Sequence, residues 1–401
     1  MGSFPFLPNQ WLPTNPMVLV GAMVMLALLG GELAARYFRL PRITGYAVTG
    51  MLLGASGLFP PPLADDLRIF VDISLGLVLF ELGSRIDLAW LKRAPMLAVM
   101  AIVESAATGG LLFFVLTAYF DFAPSVAVVG AAIGISTSPA VVMRVAADSS
   151  AQGQVTERML LLAAINSTIA VLVLTTLVPV MAADPEGGIV AAIARPIYVL
   201  TGSILLAAFL IWSGLLILRL TGKREDRQFI ATLGLVIVAV GLAGAWNLSV
   251  LVTLLALGAG LRIFDRNGYA LAIDFGVAGQ FFYLVLFTLV GASLDLRGVA
   301  TAGVAAVVFV LVRFAGKGIV VMAFSRATHQ PIGQAALLCL AIQPMSGLAA
   351  VLVHDAAALH RDIAGSIAPV VLAAIVLLEI LGPIATQVAL QLAGEAQPQP
   401  A

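Results

Sequence analysis

The sequence predicts an all-α polytopic membrane protein in which thirteen transmembrane helices form two inverted repeats with two crossed broken helices. Three observations carry this prediction. Hydrophobic residues make up 61% of the chain and charged residues only 10%, whereas soluble proteins carry about 25% charged residues. Apolar runs of membrane-spanning length recur along the whole chain, and two of them are interrupted by a proline with polar neighbours.

The predicted spans are runs of about 17 to 25 apolar residues, the length of helix that crosses the hydrocarbon core. They are 17–38, 43–60, 67–83, 95–119, 124–147, 158–182, 191–219, 228–245, 248–265, 274–292, 299–324, 333–353 and 364–390. An odd number of spans places the two termini on opposite sides of the membrane.

Basic residues in alternate connections predict the orientation. Fifteen lie on the side of the loops that follow odd-numbered spans: Arg36, Arg39, Arg42, Arg85, Lys92, Arg93, Arg144, Arg158, Arg219, Lys223, Arg224, Arg227, Arg262, Arg266 and Arg326. Only four lie on the other side: Arg68, Arg195, Arg297 and Arg361. Because cytoplasmic loops carry the excess of Lys and Arg, we expect the N-terminus outside and the C-terminus in the cytoplasm. The expected location is a bacterial cytoplasmic (inner) membrane.

Several function classes are disfavoured by the composition. The formal net charge is zero and no Lys/Arg-rich cluster occurs, so a nucleic-acid partner is not expected. A single cysteine, Cys339, forms no internal disulfide and cannot build a zinc site alone. His329, His354 and His360 lack the paired spacing of metal ligands. We therefore expect neither an enzyme nor a bound metal or cofactor.

The two interrupted spans are the fifth, broken by Thr-Ser-Pro at 137–139, and the twelfth, broken by Gln-Pro-Met-Ser-Gly at 343–347. Polar residues and proline at membrane depth are costly unless they line a site or a cavity. An offset of seven spans means that corresponding helices run in opposite directions. Broken helices at corresponding positions of two halves are typical of transporters built from inverted repeats.

The pairing divides the chain into four parts. The first repeat (spans 1 to 6) covers 1–182, linker span 7 with its cytoplasmic loop covers 183–227, the second repeat (spans 8 to 13) covers 228–390, and a disordered tail covers 391–401.

Charged residues at membrane depth lie next to the broken spans. Glu104 is in the fourth span, Lys317 in the eleventh and Glu379 in the thirteenth, and such residues face a partner or a water-filled cavity. We expect Glu104 and Lys317 to be functional. Three further charged residues lie within predicted spans: Glu32, Glu81 and Arg313. For these, structural pairing or snorkelling at helix ends is favoured.

The breaks themselves offer ligands for a small hard cation. Half-helix ends present free N–H and carbonyl groups near the midplane. Thr137, Ser138 and Gln343 add neutral side-chain oxygens. Proline alone also kinks membrane helices, so each break by itself is weak support.

Motifs along nearly the whole chain resemble the membrane domain of the monovalent cation/proton antiporter superfamily, which includes sodium/proton exchangers and potassium-efflux antiporters. The motifs are RLPRITGYAVTGMLLG at 39–54, LVLFELGSRIDL at 77–88, STSPAVVMRV at 136–145, FFYLVLFTLVGASLDL at 281–296, RFAGKGIVV at 313–321 and LLEILGPI at 377–384. Their order and spacing carry the resemblance, since no single motif is decisive.

The resemblance also exposes a departure from the family pattern. Family members place an ion-binding aspartate, preceded by Asn, Gln or Asp, in the sixth span. Here those positions hold Asn166 and Ser167. A serine hydroxyl can coordinate a cation but cannot exchange a proton at physiological pH.

Three consequences of this substitution stay open. Glu104 could supply the missing carboxylate. Lys317 could itself carry the proton, because a buried ammonium without an acid partner loses its proton readily. Alternatively, coupling has been lost, which leaves a transporter of another solute, a channel-like variant, or a regulatory or sensor subunit.

The leading prediction is a secondary transporter that exchanges Na⁺ or K⁺ for H⁺ by alternating access. The resemblance implies a core of spans 4 to 6 and 11 to 13 that moves against a dimerisation scaffold of spans 1 to 3 and 8 to 10, hence a homodimer in the lipid bilayer. Gly130, Gly134, Gly258 and Gly260 would permit close helix approach at the moving surface, or are plain packing glycines. No nucleotide-binding domain is expected after the last span, and a separate regulatory subunit stays open.

Overall fold

The computed structural model describes residues 16–57, 67–85, 95–182, 188–221, 225–265, 276–294, 296–345, 347–359 and 365–396. Within these ranges the chain consists of helices and short connections, without a β-strand. The all-α prediction is thereby confirmed.

Fifteen helices occupy the described ranges. They are α1 (Pro16–Phe38), α2 (Arg42–Ala55), α3 (Arg68–Arg85), α4 (Pro95–Ala118), α5 (Pro124–Ile135), α6 (Pro139–Asp148), α7 (Gln154–Ala182), α8 (Gly188–Thr221), α9 (Glu225–Ala245), α10 (Val250–Phe264), α11 (Gly276–Ser293), α12 (Leu296–Ala323), α13 (Ile332–Ala341), α14 (Gly347–Leu359) and α15 (Ile367–Leu392).

Eight spans in this part of the chain are long and apolar enough to cross a membrane, with the α5–α6 pair counted as one. They comprise α1, α4, α5–α6, α7, α8, α9, α12 and α15. Each of the thirteen predicted spans overlaps a described helix or a broken pair. The protein is an integral membrane protein, and the full count of thirteen stays a prediction because several helices are shorter than a complete crossing.

Both predicted breaks are present. α5 ends at Ile135 and α6 begins at Pro139, with an extended backbone at Ser136 and Ser138. Pro139 explains the restart, because its ring disfavours helical backbone at the preceding residue and its missing N–H costs nothing at the first helical position. The second break separates α13 from α14 around Pro344.

The two breaks cross and bond to each other. The Ser138 backbone N–H donates to the Pro344 carbonyl at 2.8 Å. The Thr137 hydroxyl donates to the Ile342 carbonyl at 3.1 Å. Backbone groups that the breaks release inside the protein are therefore satisfied by the opposite break, as membrane-buried irregular backbone requires.

Helix contacts separate a core from a scaffold. In the core, α4 packs along α12, α5 against α4 and α7, and α13 against α12 and α15. In the scaffold, α2 packs along α11 and α3 along α10. The repeat pairing makes α2 equivalent to α10 and α3 equivalent to α11. The α2–α11 contact of the scaffold is therefore equivalent to the α3–α10 contact.

Glycines permit the close scaffold contacts. A Cβ at Gly50 of α2 would collide with the Thr288 carbonyl of α11, and one at Gly291 would collide with the Ala47 carbonyl. At the equivalent contact, a Cβ at Gly258 of α10 would collide with the Phe80 carbonyl of α3. Small residues at both contacts let the helix backbones touch.

Of the two alternatives for Gly130, Gly134, Gly258 and Gly260, the contacts favour plain helix packing. Gly130 faces Ile367 and Gly134 faces Phe309, all within the core. Gly258 lies against α3, as described above, and Gly260 faces Ile211 of α8. These glycines lie where packed helices approach each other closely. The sequence alone cannot distinguish such a packing contact from a surface at which two units slide.

The last described residues, which follow α15, fold back onto the core. After α15 ends, the Glu395 carboxylate accepts from the Val155 and Thr156 N–H groups and from the Thr156 hydroxyl, each at 2.8 Å. The Gln152 N–H donates to the Glu395 carbonyl at 3.0 Å. Glu395 thus caps the free N–H groups at the start of α7. Residues 397–401 of the predicted tail lie outside the described residues.

Candidate functional site

Arg313 of α12 joins the two broken helices at their crossing. Its Nε and Nη2 donate to the carbonyls of Gly134 at 2.9 Å and Ser136 at 2.6 Å. Its Nη1 donates to the Gln343 carbonyl at 2.7 Å and to the Gln343 side-chain Oε1 at 3.0 Å. The guanidinium therefore compensates the negative carbonyl ends of α5 and α13. Arg313 is fully buried and therefore does not snorkel to the membrane surface, and its hydrogen bonds link the two breaks.

Lys317 lies one turn further along α12 and points into the same region, since residues four apart share a helix face. Its Nζ donates to Glu104 Oε1 at 2.8 Å, to the Ile135 carbonyl at 3.0 Å and to Thr137 Oγ1 at 3.2 Å. Both charged side chains have no exposed surface. The fourth span, the eleventh span and the first break therefore meet at one ion pair.

The second oxygen of Glu104 distinguishes this pair from a structural ion pair. Oε1 accepts from Lys317 and, at 3.4 Å, from the Thr108 hydroxyl. Oε2 is buried and has no hydrogen-bond partner among the described residues. A buried carboxylate oxygen without a partner costs free energy, and either a proton or a cation would satisfy it.

Polar residues of α4 and α7 complete the surroundings of Thr137. The Ser167 hydroxyl donates to the Thr137 carbonyl at 2.6 Å. Asn166 Nδ2 donates to Thr137 Oγ1 at 3.5 Å, and the Ser105 hydroxyl donates to Asn166 Oδ1 at 3.2 Å. All four side chains are buried. They hold the first break beside the ion pair.

Three predicted site residues lie around the crossing without touching the Glu104 carboxylate in the described contacts. The Ser138 hydroxyl accepts from the Val141 N–H at 3.4 Å and so caps α6. Gln343 bonds to Arg313, as described, and donates to the Cys339 carbonyl at 2.7 Å. Glu379 is buried on α15, three residues before Gly382, which lies against Pro344 of the second break.

Sequence reasoning missed the position of Arg313 and the contact of Thr108 with Glu104. The available signals were the four-residue spacing from Arg313 to Lys317 and the four-residue spacing from Glu104 to Thr108. Each spacing places both members on one helix face. Backbone carbonyls have no sequence signature as hydrogen-bond partners. The hydrogen bonds from Arg313 to the backbones of both breaks could therefore not be predicted.

Metal-ligand clusters are not found in the part of the chain that the structure describes: no group of three or more His, Cys, Asp or Glu residues is positioned to hold a metal ion. Cys339 is a buried free cysteine. Of the three histidines, His360 lies outside the described residues.

Two membrane-buried broken helices that cross beside a buried ion pair define the transporter class built on discontinuous helices. The sequence matches the family described as sodium/hydrogen exchanger, transmembrane, over residues 23–392. The chain belongs to this family.

Solved structures share the fold. The sodium proton antiporter MjNhaP1 from Methanocaldococcus jannaschii at pH 8 superposes with a TM-score of 0.68 at 16% identity, covering 94% of this chain and 98% of that one. A second structure of the same antiporter, from an electron-microscopy map, gives a TM-score of 0.70 at 14% identity, covering 96% and 99%. No curated protein matches the sequence.

Proposed function

We propose that the protein exchanges a monovalent cation, Na⁺ or K⁺, for H⁺ by alternating access, and that Glu104 supplies the carboxylate that family members carry in the sixth span. The buried Glu104–Lys317 pair at the crossing is the observation that carries this proposal. Family membership and the fold support the reaction class.

Charge balance gives the exchange step. In the described arrangement the Glu104 carboxylate is neutralised by the Lys317 ammonium. A buried carboxylate tolerates one compensating charge at a time, because an extra unpaired charge in a low-dielectric interior is costly. When a cation takes the place beside Glu104, Lys317 gives up a proton to water and becomes neutral. One cation enters the site and one proton leaves.

Oxygen ligands for the incoming cation are already gathered. Glu104 Oε1, the Ile135 carbonyl and Thr137 Oγ1 surround the position that the ammonium now occupies. Glu104 Oε2 is a further oxygen, without a hydrogen-bond partner in the described part of the chain. Carboxylate, carbonyl and hydroxyl oxygens suit a hard cation. Ser167 supports the site indirectly, because its hydroxyl donates a hydrogen bond to the Thr137 carbonyl.

The remaining parts of the proposal follow the family pattern. The scaffold helices form a homodimer interface, the N-terminus faces outward, and the protein resides in a bacterial cytoplasmic membrane. The core moves against the scaffold and exposes the crossing to each side in turn.

The test is proton flux in proteoliposomes that contain the purified protein and a pH gradient. Addition of Na⁺ or K⁺ should collapse the gradient, and Glu104→Gln should abolish the response, because the amide cannot balance a cation. Glu32→Gln is the matched control, since Glu32 forms an exposed pair with Arg42 at 2.8 Å. Absence of flux with every monovalent cation in a folded preparation would overturn the proposal.

The second candidate function is an antiporter-fold protein without cation/proton coupling, which acts on another solute or as a regulatory or sensor subunit. The hydroxyl of Ser167 favours it, because that hydroxyl is already bonded to the Thr137 carbonyl where family members carry a carboxylate. A stoichiometric partner that co-purifies with a protein showing no flux would support this candidate.

A further inference from the structure

A buried contact joins α6 of the core to the scaffold, away from the crossing. Arg144 and Asp148 lie one turn apart on α6 and form an ion pair at 2.8 Å, with only 9% and 7% of their side chains exposed. The Arg144 guanidinium carbon lies 5.0 Å from the ring centroid of Tyr283 on α11. The Tyr283 hydroxyl donates to Glu81 Oε2 of α3 at 2.9 Å. A charged pair of the core therefore rests on an aromatic ring that the scaffold holds in place.

The ion pair depends on this ring. Arg144 Nε and Asp148 Oδ2 are buried and have no hydrogen-bond partner among the described residues. A buried pair with unsatisfied atoms contributes little stability by itself. The face of Tyr283 supplies a favourable contact for the guanidinium charge. This contact exists only while α6 lies against the scaffold, where it packs on α3.

We propose that Arg144, Asp148 and Tyr283 form a latch that favours the present arrangement of core and scaffold over the arrangement that opens the crossing to the opposite side. The proposal rests on the proposed function, because it assumes that the core moves during transport. The latch would break and form again in each cycle, since α6 moves with the core while Tyr283 stays with the scaffold. Loss of one cation–π contact of this kind shifts the ratio of the two arrangements by about 2- to 30-fold.

A single reporter cysteine measures the ratio without transport. Cys339 is the only cysteine, so Cys339→Ala gives a cysteine-free background. In that background we would introduce Ala140→Cys, because Ala140 is buried and lies one turn before Arg144 on the face of α6 that meets the scaffold. A water-soluble maleimide should label the cysteine slowly while the latch is closed and faster once the core has moved away.

Tyr283→Leu removes the ring and should raise the labelling rate by the same 2- to 30-fold. Tyr283→Phe keeps the ring and should leave the rate within about two-fold of the parent. Tyr37→Leu, at an exposed tyrosine of α1, is the matched control for loss of a ring. Size-exclusion profiles and melting temperatures establish that each variant is folded.

A second variant guards against failure of Tyr283→Leu to fold. The double change Arg144→Gln with Asp148→Asn removes both charges together and leaves no buried unpaired charge, and it should also raise labelling. Adding Tyr283→Leu to it should have little further effect, because the latch is already lost. Unchanged labelling in the folded variants would overturn the latch even if exchange is normal. Raised labelling in a protein without flux would retain the latch and reject the proposed exchange.

Discussion

At the scale of single residues, Ser167 has a structural contact at the position where the family resemblance predicts an ion-binding carboxylate. Its hydroxyl is the donor to the Thr137 carbonyl. Ser167→Ala leaves that buried carbonyl without this donor, a loss of about 1–3 kcal/mol. We expect a lower melting temperature, while proton release on cation addition persists.

The comparison with Glu104→Gln makes this prediction specific. Glu104→Gln should abolish cation-induced proton release, measured with a pH-sensitive dye on the purified protein. If Ser167→Ala abolishes release as well while remaining folded, Ser167 takes part in ion binding directly, and the indirect role assigned to it is wrong.

At the scale of helices, the contact between α2 and α11 sets how closely the scaffold packs. Gly50→Ala would place a methyl group against the Thr288 carbonyl. Because backbone cannot yield as a flexible side chain does, we expect a destabilisation of about 1–3 kcal/mol. Gly241→Ala of α9 is the matched control, since nothing lies within 4 Å of its added Cβ.

Thermal unfolding of the two variants measures this difference. The control should be neutral or slightly stabilising, because alanine favours a helix by about 1 kcal/mol over glycine. Equal melting temperatures for both variants would show that α2 and α11 separate easily.

Sequence reasoning succeeded for the helices wherever a local rule decides. Pro139 and Pro344 located both breaks, because proline restricts the backbone before it. The repeat pairing placed Glu104 and Lys317 on equivalent helices that flank the two broken spans, and the structure joins them at 2.8 Å.

It failed where a tertiary contact decides. Arg144 and Arg158 lie on the predicted cytoplasmic side, but their burial and their partners were not predicted. Arg144 rests on Tyr283. Arg158 donates to Gln330 at 2.9 Å and to the Thr328 carbonyl at 3.0 Å. The periodicity of the sequence does not predict such hydrogen-bond and ring partners.

At the scale of the whole molecule, Glu395 ties the end of the last described helix to the beginning of α7. Glu395→Ala would release two backbone N–H groups and a hydroxyl from their acceptor. Loss of a helix cap costs about 0.5–2 kcal/mol. We expect a lower melting temperature, whereas Gln391→Ala, at an exposed residue of α15, should have no effect.

Hydrogen exchange at the start of α7 is the direct measurement. Faster exchange of the Val155 and Thr156 amides in Glu395→Ala would locate the loss at the cap. Unchanged protection of these amides would mean that solvent or another group caps α7 equally well.

The hydrogen bonds from Arg313 to both breaks limit how ions can cross the membrane through this protein. Three hydrogen bonds from Arg313 to backbone carbonyls, with a fourth to the Gln343 side chain, fix the two breaks relative to each other. Opening a continuous aqueous pore between the half-helices would require these bonds to break together. The protein is therefore suited to act as a carrier that turns over once per ion, and planar-bilayer recordings should show no unitary currents at any membrane voltage.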